Sequence, residues 1–331
     1  MEPSRQGQKL HLVYATDEPY LFYVQVSLCS AANLASRPED LVAHILDCGI
    51  SDAAWEAFAG HLRSIAPAVE VHRHPIDISQ FDDFRTWRYS RGAYGRLCLG
   101  ELLPETEWCL YADGDTLFLG DPLEVIPLFD PDKYIQGQQD TVIPLMNASW
   151  FKEHNVPLDP PSYICSGFVI MNLRAFREHR LFDRCIEALK AHPTLPCPDQ
   201  DALNLACAGH IGLLPLRWGT LGGKIFGPGP QGCVHLAGRK PWEPCFGKFG
   251  YSDANAVWVH YVRETFGKTL KEATGLSWPR WIAYRLYTRL IGLALCTLAR
   301  IPAMGRRYPW IPLHYCHWST RGWLTKRWWE R

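Results

Sequence analysis

Trp108-Cys-Leu-Tyr-Ala-Asp113-Gly-Asp115-Thr-Leu-Phe-Leu-Gly-Asp121-Pro is the stretch that decides how this chain is read. Its apolar opening predicts a buried strand, with two aspartates one residue apart at the strand's C-terminal end. In an open α/β sheet, ligands bind beyond the carboxyl ends of the strands. On extended backbone, residues i and i+2 point to one side, so Asp113 and Asp115 can face a single divalent cation. Hard carboxylate oxygens suit Mg²⁺ or Mn²⁺ carrying a diphosphate. The expectation is a site for a nucleotide-activated group.

The flanking sequence alternates strand and helix patterns. Strands are expected at Leu10–Ala15, Leu41–Leu46, Val69–His74 and Ile164–Asn172. Helices are expected at Tyr20–Ala35, Ser51–Ser64 with Ser51 as cap, Arg91–Leu103, Arg174–Ala191 and Asp199–Ala208. This order implies an α/β fold with a mostly parallel sheet covered on both faces. Trp218–Gly232 is rich in Gly and Pro and reads as a loop. Two apparent nucleotide motifs inside it fail. Gly227-Pro-Gly-Pro-Gln-Gly232 has prolines where a helix must follow, and Gly219–Lys224 is one residue short of a phosphate-binding loop.

Composition is that of a globular protein, with 47% hydrophobic and 21% charged residues. Zero net charge hides an asymmetry: residues 277–331 hold ten Lys/Arg against one acidic residue, and half of the 14 tryptophans. The polar N-terminus has no apolar core of a secretory signal, and the 12 cysteines lack paired spacing, so a reducing, cytoplasmic setting is expected.

Asp130-Pro-Asp132 repeats the acidic spacing but reads as a turn, and Asp199-Gln-Asp201 opens a helix, where an aspartate also serves as a cap. A third metal ligand is offered by Cys233-Val-His235-Leu-Ala-Gly238-Arg-Lys240-Pro-Trp242, where a histidine ends a short strand. An imidazole beside two carboxylates favours Mn²⁺ over Mg²⁺. Lys240 is placed to neutralise a leaving diphosphate.

Taken in order, these motifs resemble glycosyltransferase family 8, the retaining enzymes that include glycogenin and bacterial lipooligosaccharide galactosyltransferases and glucosyltransferases. The resemblance runs from about Leu10 to Trp242. It is carried by Val13-Tyr-Ala-Thr-Asp17-Glu-Pro-Tyr20, Tyr94-Gly-Arg96, Tyr111-Ala-Asp113-Gly-Asp115, Ser166-Gly-Phe-Val-Ile-Met-Asn172-Leu, Asp199-Gln-Asp-Ala-Leu-Asn204 and His235–Trp242. It implies a GT-A nucleotide-sugar transferase fold, Rossmann-like with a mixed, mostly parallel sheet. It further implies that Ala15 and Asp17 contact the nucleoside of a UDP-sugar, with Tyr20 stacked on the base. Asp113, Asp115 and His235 would hold Mn²⁺, or possible Mg²⁺ in its place. Gly114, Gly238 and Lys240 would lie along the diphosphate. Arg96, Asp140, Asp199 and Gln200 would surround the transferred hexose. Two departures stand out: only Arg239 separates Gly238 from Lys240 where the family usually has two residues, and Cys165 stands where asparagine is common.

The C-terminal segment reads differently. Trp278-Pro-Arg-Trp-Ile-Ala-Tyr-Arg285 interleaves basic and aromatic residues, and Leu290–Ala299 is too short to span a bilayer. Trp310, Trp318, Trp323, Trp328 and Trp329 beside five further basic residues extend the pattern, which suits an anionic membrane surface. The expected organisation is a catalytic domain over 1–268 and a helical, membrane-associating tail over 269–331, peripheral on the cytoplasmic face of the inner membrane. The expected partners are a UDP-hexose and a glycan or glycolipid acceptor, with no nucleic acid. The expected activity is transfer of galactose or glucose to a lipooligosaccharide-type or other glycan acceptor. The rivals are an inactive membrane-bound nucleotide-sugar-binding protein and a nucleic-acid-binding protein with a basic tail.

Overall fold

A computed structural model describes residues 8–86, 91–221, 231–238, 240–244, 252–299 and 301–302. Ten strands form in chain order: β1 (Leu10–Thr16), β2 (Leu41–Asp47), β3 (Glu70–Pro75), β4 (Trp108–Ala112), β5 (Thr116–Phe118), β6 (Ile135–Gln139), β7 (Ile164–Asn172), β8 (Ile211–Leu213), β9 (Thr220–Leu221) and β10 (Cys233–His235). The runs expected as strands all become strands; β2, β4 and β7 are buried along their whole length, as in a sheet covered on both faces, while the edge strand β3 is largely exposed. The main sheet has the order β3-β2-β1-β4-β7-β6-β8. It is parallel except for β7, which runs antiparallel to both β4 and β6. Strands β5, β10 and β9 make a second, smaller sheet.

Alternation along the strands sends side chains to two cores. Leu10, Leu12 and Tyr14 pack with helices Leu21–Leu34 and Asp52–Ile65 through Val24, Leu28, Phe58 and Leu62. Val13 and Tyr111 join the opposite core with Leu97, Cys185 and Leu203. A third cluster backs the small sheet, where Leu117 and Val234 meet Trp258, Leu270, Trp281 and Tyr284. Order reverses at β1, which pairs with β2 on one side and β4 on the other. That switch opens a crevice at the carboxyl ends of β1 and β4, the place where such sheets bind ligands.

The elements differ from the sequence expectation at three points. Residues 91–103 form a 3-10 stretch (Arg91–Cys98) and one α turn (Leu99–Leu102), not one helix. Gly92 and Gly95 weaken an α-helix there. The expected helix over 174–191 is two helices, Leu173–Glu178 and Leu181–Ala191, broken at Arg180 with φ 52°. Strands β5, β6, β8 and β9 were not anticipated. The loop reading of Trp218–Gly232 falls largely on 222–230, which lie outside the described residues, as do Arg239 and the aromatic-basic segment 303–331.

On the outer strands, His11, His44 and His74 form a chain, with His11 Nδ1 at 2.9 Å from His44 Nε2 and His44 Nδ1 at 3.0 Å from His74 Nε2. His72 stacks on His44 at 5.2 Å, and Lys9 and Glu70 complete the charged groups facing this row. Burial, then the neighbouring imidazoles, lowers His44 from 6.5 to about 3. Its folded value lies below the unfolded one, so the neutral ring's contribution is full above about pH 6.5 and is lost as pH falls toward 3. At pH 5 the linkage amounts to about 2 kcal/mol. Urea unfolding at pH 7 and pH 5 should show the wild type losing about that much more stability than His44→Phe; equal losses would contradict this.

Candidate active site

Strand β4 ends at Ala112 and the chain turns through Asp113-Gly114-Asp115 into β5. The turn is closed by Thr116, whose backbone N–H and hydroxyl both donate to the Asp113 carbonyl (3.1 and 2.9 Å). Gly114 lets it seat against the start of helix Leu21–Leu34. A Cβ there would lie 2.8 Å from Val24 Cγ2 and 3.2 Å from Tyr20 Cδ1. Antiparallel pairing of β5 with β10 sets His235 opposite Thr116, and Leu236 N–H donates to the Asp115 carbonyl at 2.8 Å. Sheet pairing thus delivers a histidine distant in sequence to the two aspartates.

His235 Nε2 lies 3.3 Å from Asp115 Oδ1 and 3.6 Å from Asp113 Oδ2. The three ligand atoms lie within 4.8 Å of one another. Adjacent ligands of a six-coordinate cation with bonds of about 2.1 Å stand about 3 Å apart, so the three side chains fit one divalent ion. Two oxygens and one imidazole nitrogen suit Mn²⁺. The other ring nitrogen of His235 faces Cys165 Sγ at 3.5 Å, which turns Nε2 toward the carboxylates. The floor is Gly167. A Cβ there would run into His235 Cε1 and stand 2.5 Å from Asp113 Oδ2.

Charge is concentrated here. Asp115 is 4% exposed, with Lys240 Nζ bonded to its second oxygen. Burial alone would raise its pKa, but Lys240 and His235 hold the carboxyl well below the usual range. Burial would likewise lower His235, and Asp115 reverses that, raising the ring well above its usual value. Arg96 is 3% exposed. Its guanidinium donates to Asp113 Oδ1 (2.9 Å), the Ser166 carbonyl (2.5 Å) and the Ala93 carbonyl (2.8 Å), and pairs with Asp199 at 3.5 Å. It also lies 4.4 Å over the Tyr111 ring, whose hydroxyl donates to Asp113 Oδ1. Burial and then Asp113 raise the Asp199 carboxyl, against the pull of Arg96.

Gln200 opens the far wall. Its Nε2 donates to Asp140 Oδ2 (3.1 Å) and Tyr163 Oη (3.0 Å), and its carbonyl accepts from Ser166 N–H (3.0 Å). At the end of β1, Asp17 accepts from Tyr20 N–H (3.2 Å), and Tyr20 joins Tyr23 and Trp242 in an aromatic cluster. Ala15 precedes them, half-buried. Gly238, at φ +88°, turns the chain so that Lys240 reaches Asp115 despite the shortened spacing. Asp113, Asp115, His235, Lys240, Arg96 and Asp199 therefore form one contact network, with Gln200 and Asp140 bonded beside it. Tyr111, Tyr163 and Cys165 were not anticipated as partners. Of these, Tyr111 had a readable signal, standing two residues before Asp113 on the same strand face, and Cys165 had one as the residue found where asparagine is common.

Paired aspartates at a sheet's switch point, with a histidine and a lysine beside them, make a candidate metal site of the kind the glycosyltransferase resemblance implies. The chain belongs to glycosyl transferase family 8, whose family model matches residues 11–243. It is 27% identical over 215 residues to a Haemophilus influenzae protein named as a glycosyltransferase, a match covering 64% of this chain and 63% of that one. General stress protein A of Bacillus subtilis is 22% identical over 300 residues, covering 80% of this chain and 97% of that one. The fold is similar to that of the galactosyltransferase LgtC solved with donor and acceptor sugar analogues (TM-score 0.64, 21% identity, 83% of this chain and 100% of that one). It is similar also to GlyE of Streptococcus pneumoniae (TM-score 0.58, 16% identity, 80% of this chain and 64% of that one). The fold is accordingly GT-A.

Proposed function

We propose that this protein transfers galactose or glucose from a UDP-sugar, with retention, to a lipooligosaccharide-type or other lipid-linked glycan. The observation that carries the reading is the meeting of Asp113, Asp115, His235 and Lys240 at the switch point. A bound Mn²⁺ would supply Lewis-acid neutralisation of the diphosphate as the glycosyl bond breaks. The Lys240 ammonium adds a second positive charge on the same side. Arg96 holds Asp113 and Asp199 in place by charge-assisted bonds. Asp199, Asp140 and Gln200 offer carboxylate and amide groups to hexose hydroxyls. An amide is a poor nucleophile, so acceptor attack on the face of the departing phosphate accounts best for retention. The test is UDP release from a panel of UDP-hexoses with Mn²⁺ and glycolipid acceptors. Turnover with UDP-galactose or UDP-glucose is expected. Tight UDP-sugar binding without turnover would favour the inactive binding protein.

A membrane surface is part of the proposal. The helix Trp278–Ala299 buries Trp281, Tyr284 and Thr288 against the body, while Trp278, Ile282, Leu286, Leu290 and Leu293 are each between 44% and 66% exposed. These five recur at helical spacing and make an apolar outer stripe beside exposed Arg280. Among the described residues no helix is long and apolar enough to cross a membrane. An interfacial helix on the cytoplasmic face of the inner membrane, reinforced by the basic tail, fits both facts. Vesicles with anionic lipid should retain the wild type. The triple variant Leu286→Ser, Leu290→Ser, Leu293→Ser should bind them at least tenfold less while still hydrolysing UDP-sugar; unchanged retention, or preference for an oligonucleotide, would remove this proposal.

A further inference from the structure

Behind Gln200 lies a hydrogen-bond chain that includes Tyr163 and Asp201, two residues the reaction described above does not use. Backbone N–H of Cys197 donates to Asp201 Oδ2 at 2.7 Å, and Tyr163 Oη donates to Asp201 Oδ1 at 2.5 Å. Gln200 Nε2 then donates to Tyr163 Oη, and its second proton goes to Asp140 Oδ2. Asp140 Oδ1 is held by the N–H groups of Val142 (2.9 Å) and Ile143 (3.2 Å). Asp201 and Tyr163 are 0% and 1% exposed, so water does not compete.

Each link has a forced direction. A backbone N–H can only donate, so Ser166 requires the Gln200 oxygen on its side and Cys197 requires a carboxylate oxygen of Asp201. A carboxylate oxygen accepts, so Asp140 Oδ2 faces the amide N–H₂, and Asp201 Oδ1, while Asp201 is ionised, takes the Tyr163 proton. With its proton committed to Asp201, the Tyr163 oxygen is free to accept the second Gln200 N–H. We infer that Tyr163, oriented by Asp201, is a positioning residue that takes the second amide proton of Gln200 and so locks the side chain in the orientation that Ser166 and Asp140 select. This rests on the transferase reading for its catalytic consequence but not for its geometry.

Reversing one link would propagate. Burial, followed by nearby Asp199 and Asp140, raises the Asp201 carboxyl to about 7, against the bonds from Tyr163 and Cys197. Once protonated, Asp201 turns the tyrosine hydroxyl toward the Gln200 N–H₂, donor against donor. The other ionisable groups facing this row are Asp140, Asp199 and the Cys197 thiol, which burial pushes well up.

Selective ¹⁵N-glutamine labelling of the full chain gives a readout free of turnover. In Tyr163→Phe, exchange of the Gln200 side-chain amide protons should accelerate at least tenfold. Transfer kcat should fall about tenfold, the worth of one buried hydrogen bond. Donor KM and Mn²⁺ affinity should stay within about twofold, because Tyr163 touches neither ligand set. Asp201→Asn, which donates to Tyr163 permanently, should be the more severe variant, and adding Tyr163→Phe should return it to the single-variant level. Unchanged amide exchange in Tyr163→Phe would overturn the inference whatever the activity. Equal losses of kcat and Mn²⁺ affinity would also overturn it, as a general structural effect. Accelerated exchange in a protein that turns over no UDP-hexose would leave the positioning intact and remove the transferase reading instead.

Discussion

Asp115→Asn is expected to lower transfer by roughly 10³-fold and Mn²⁺ affinity by at least about 100-fold, with the fold retained. Lys240 bonds one oxygen of the carboxylate and His235 Nε2 faces the other. An amide of the same shape removes the charge that binds the cation and takes the carboxylate away from Lys240 and His235, while Asp113 stays 3.6 Å from the imidazole. Some stability is lost for that reason, since a buried charge without its partner is costly. Isothermal titration with Mn²⁺, beside UDP release at saturating donor, separates the two effects. Full Mn²⁺-dependent turnover in Asp115→Asn would mean that the carboxylate is not a ligand.

Arg96→Met should produce the largest loss of stability. The guanidinium is buried, bonded to two backbone carbonyls, and paired with both Asp113 and Asp199. Removing one partner of such a network costs about 3–5 kcal/mol, because the carboxylates remain without compensation. At roughly 2–4 °C per kcal/mol, the melting temperature should fall by about 6–20 °C. Arg96→Lys keeps the charge but not the fork, so it should lie between the two. Because Asp113 loses its support, Mn²⁺ affinity should fall together with stability in Arg96→Met. A melting temperature within 2 °C of wild type would show that the pairs contribute little.

The strands that position the site were legible because each is a short apolar run ended by a polar turn, as at Ala112-Asp113 and Asn172. Strand β6 escaped because Ile135-Gln-Gly-Gln-Gln139 has three glutamines. Its Gln136 side chain is buried by bonding to the Leu128 carbonyl and the Asp130 N–H, a tertiary arrangement with no local period. The 3-10 course of Arg91–Cys98 was hidden by apolar spacing that also fits a helix. His235 could be matched to Asp113 and Asp115 through family resemblance, but its physical cause is pairing across 119 residues between strands of three residues each. Such a contact leaves no mark in the local sequence. The same holds for Tyr163, whose partners sit 37 and 38 residues away. The shortened Gly238-Arg-Lys240 spacing signalled a departure that the backbone absorbs, as the left-handed turn at Gly238 still brings Lys240 to Asp115.

The most direct test is crystallographic. Crystals grown with Mn²⁺ and UDP, measured at the manganese absorption edge, should give one strong anomalous peak about 2.1 Å from Asp113 Oδ2, Asp115 Oδ1 and His235 Nε2. A peak elsewhere, or His235 turned away from a manganese held by other groups, would contradict the account.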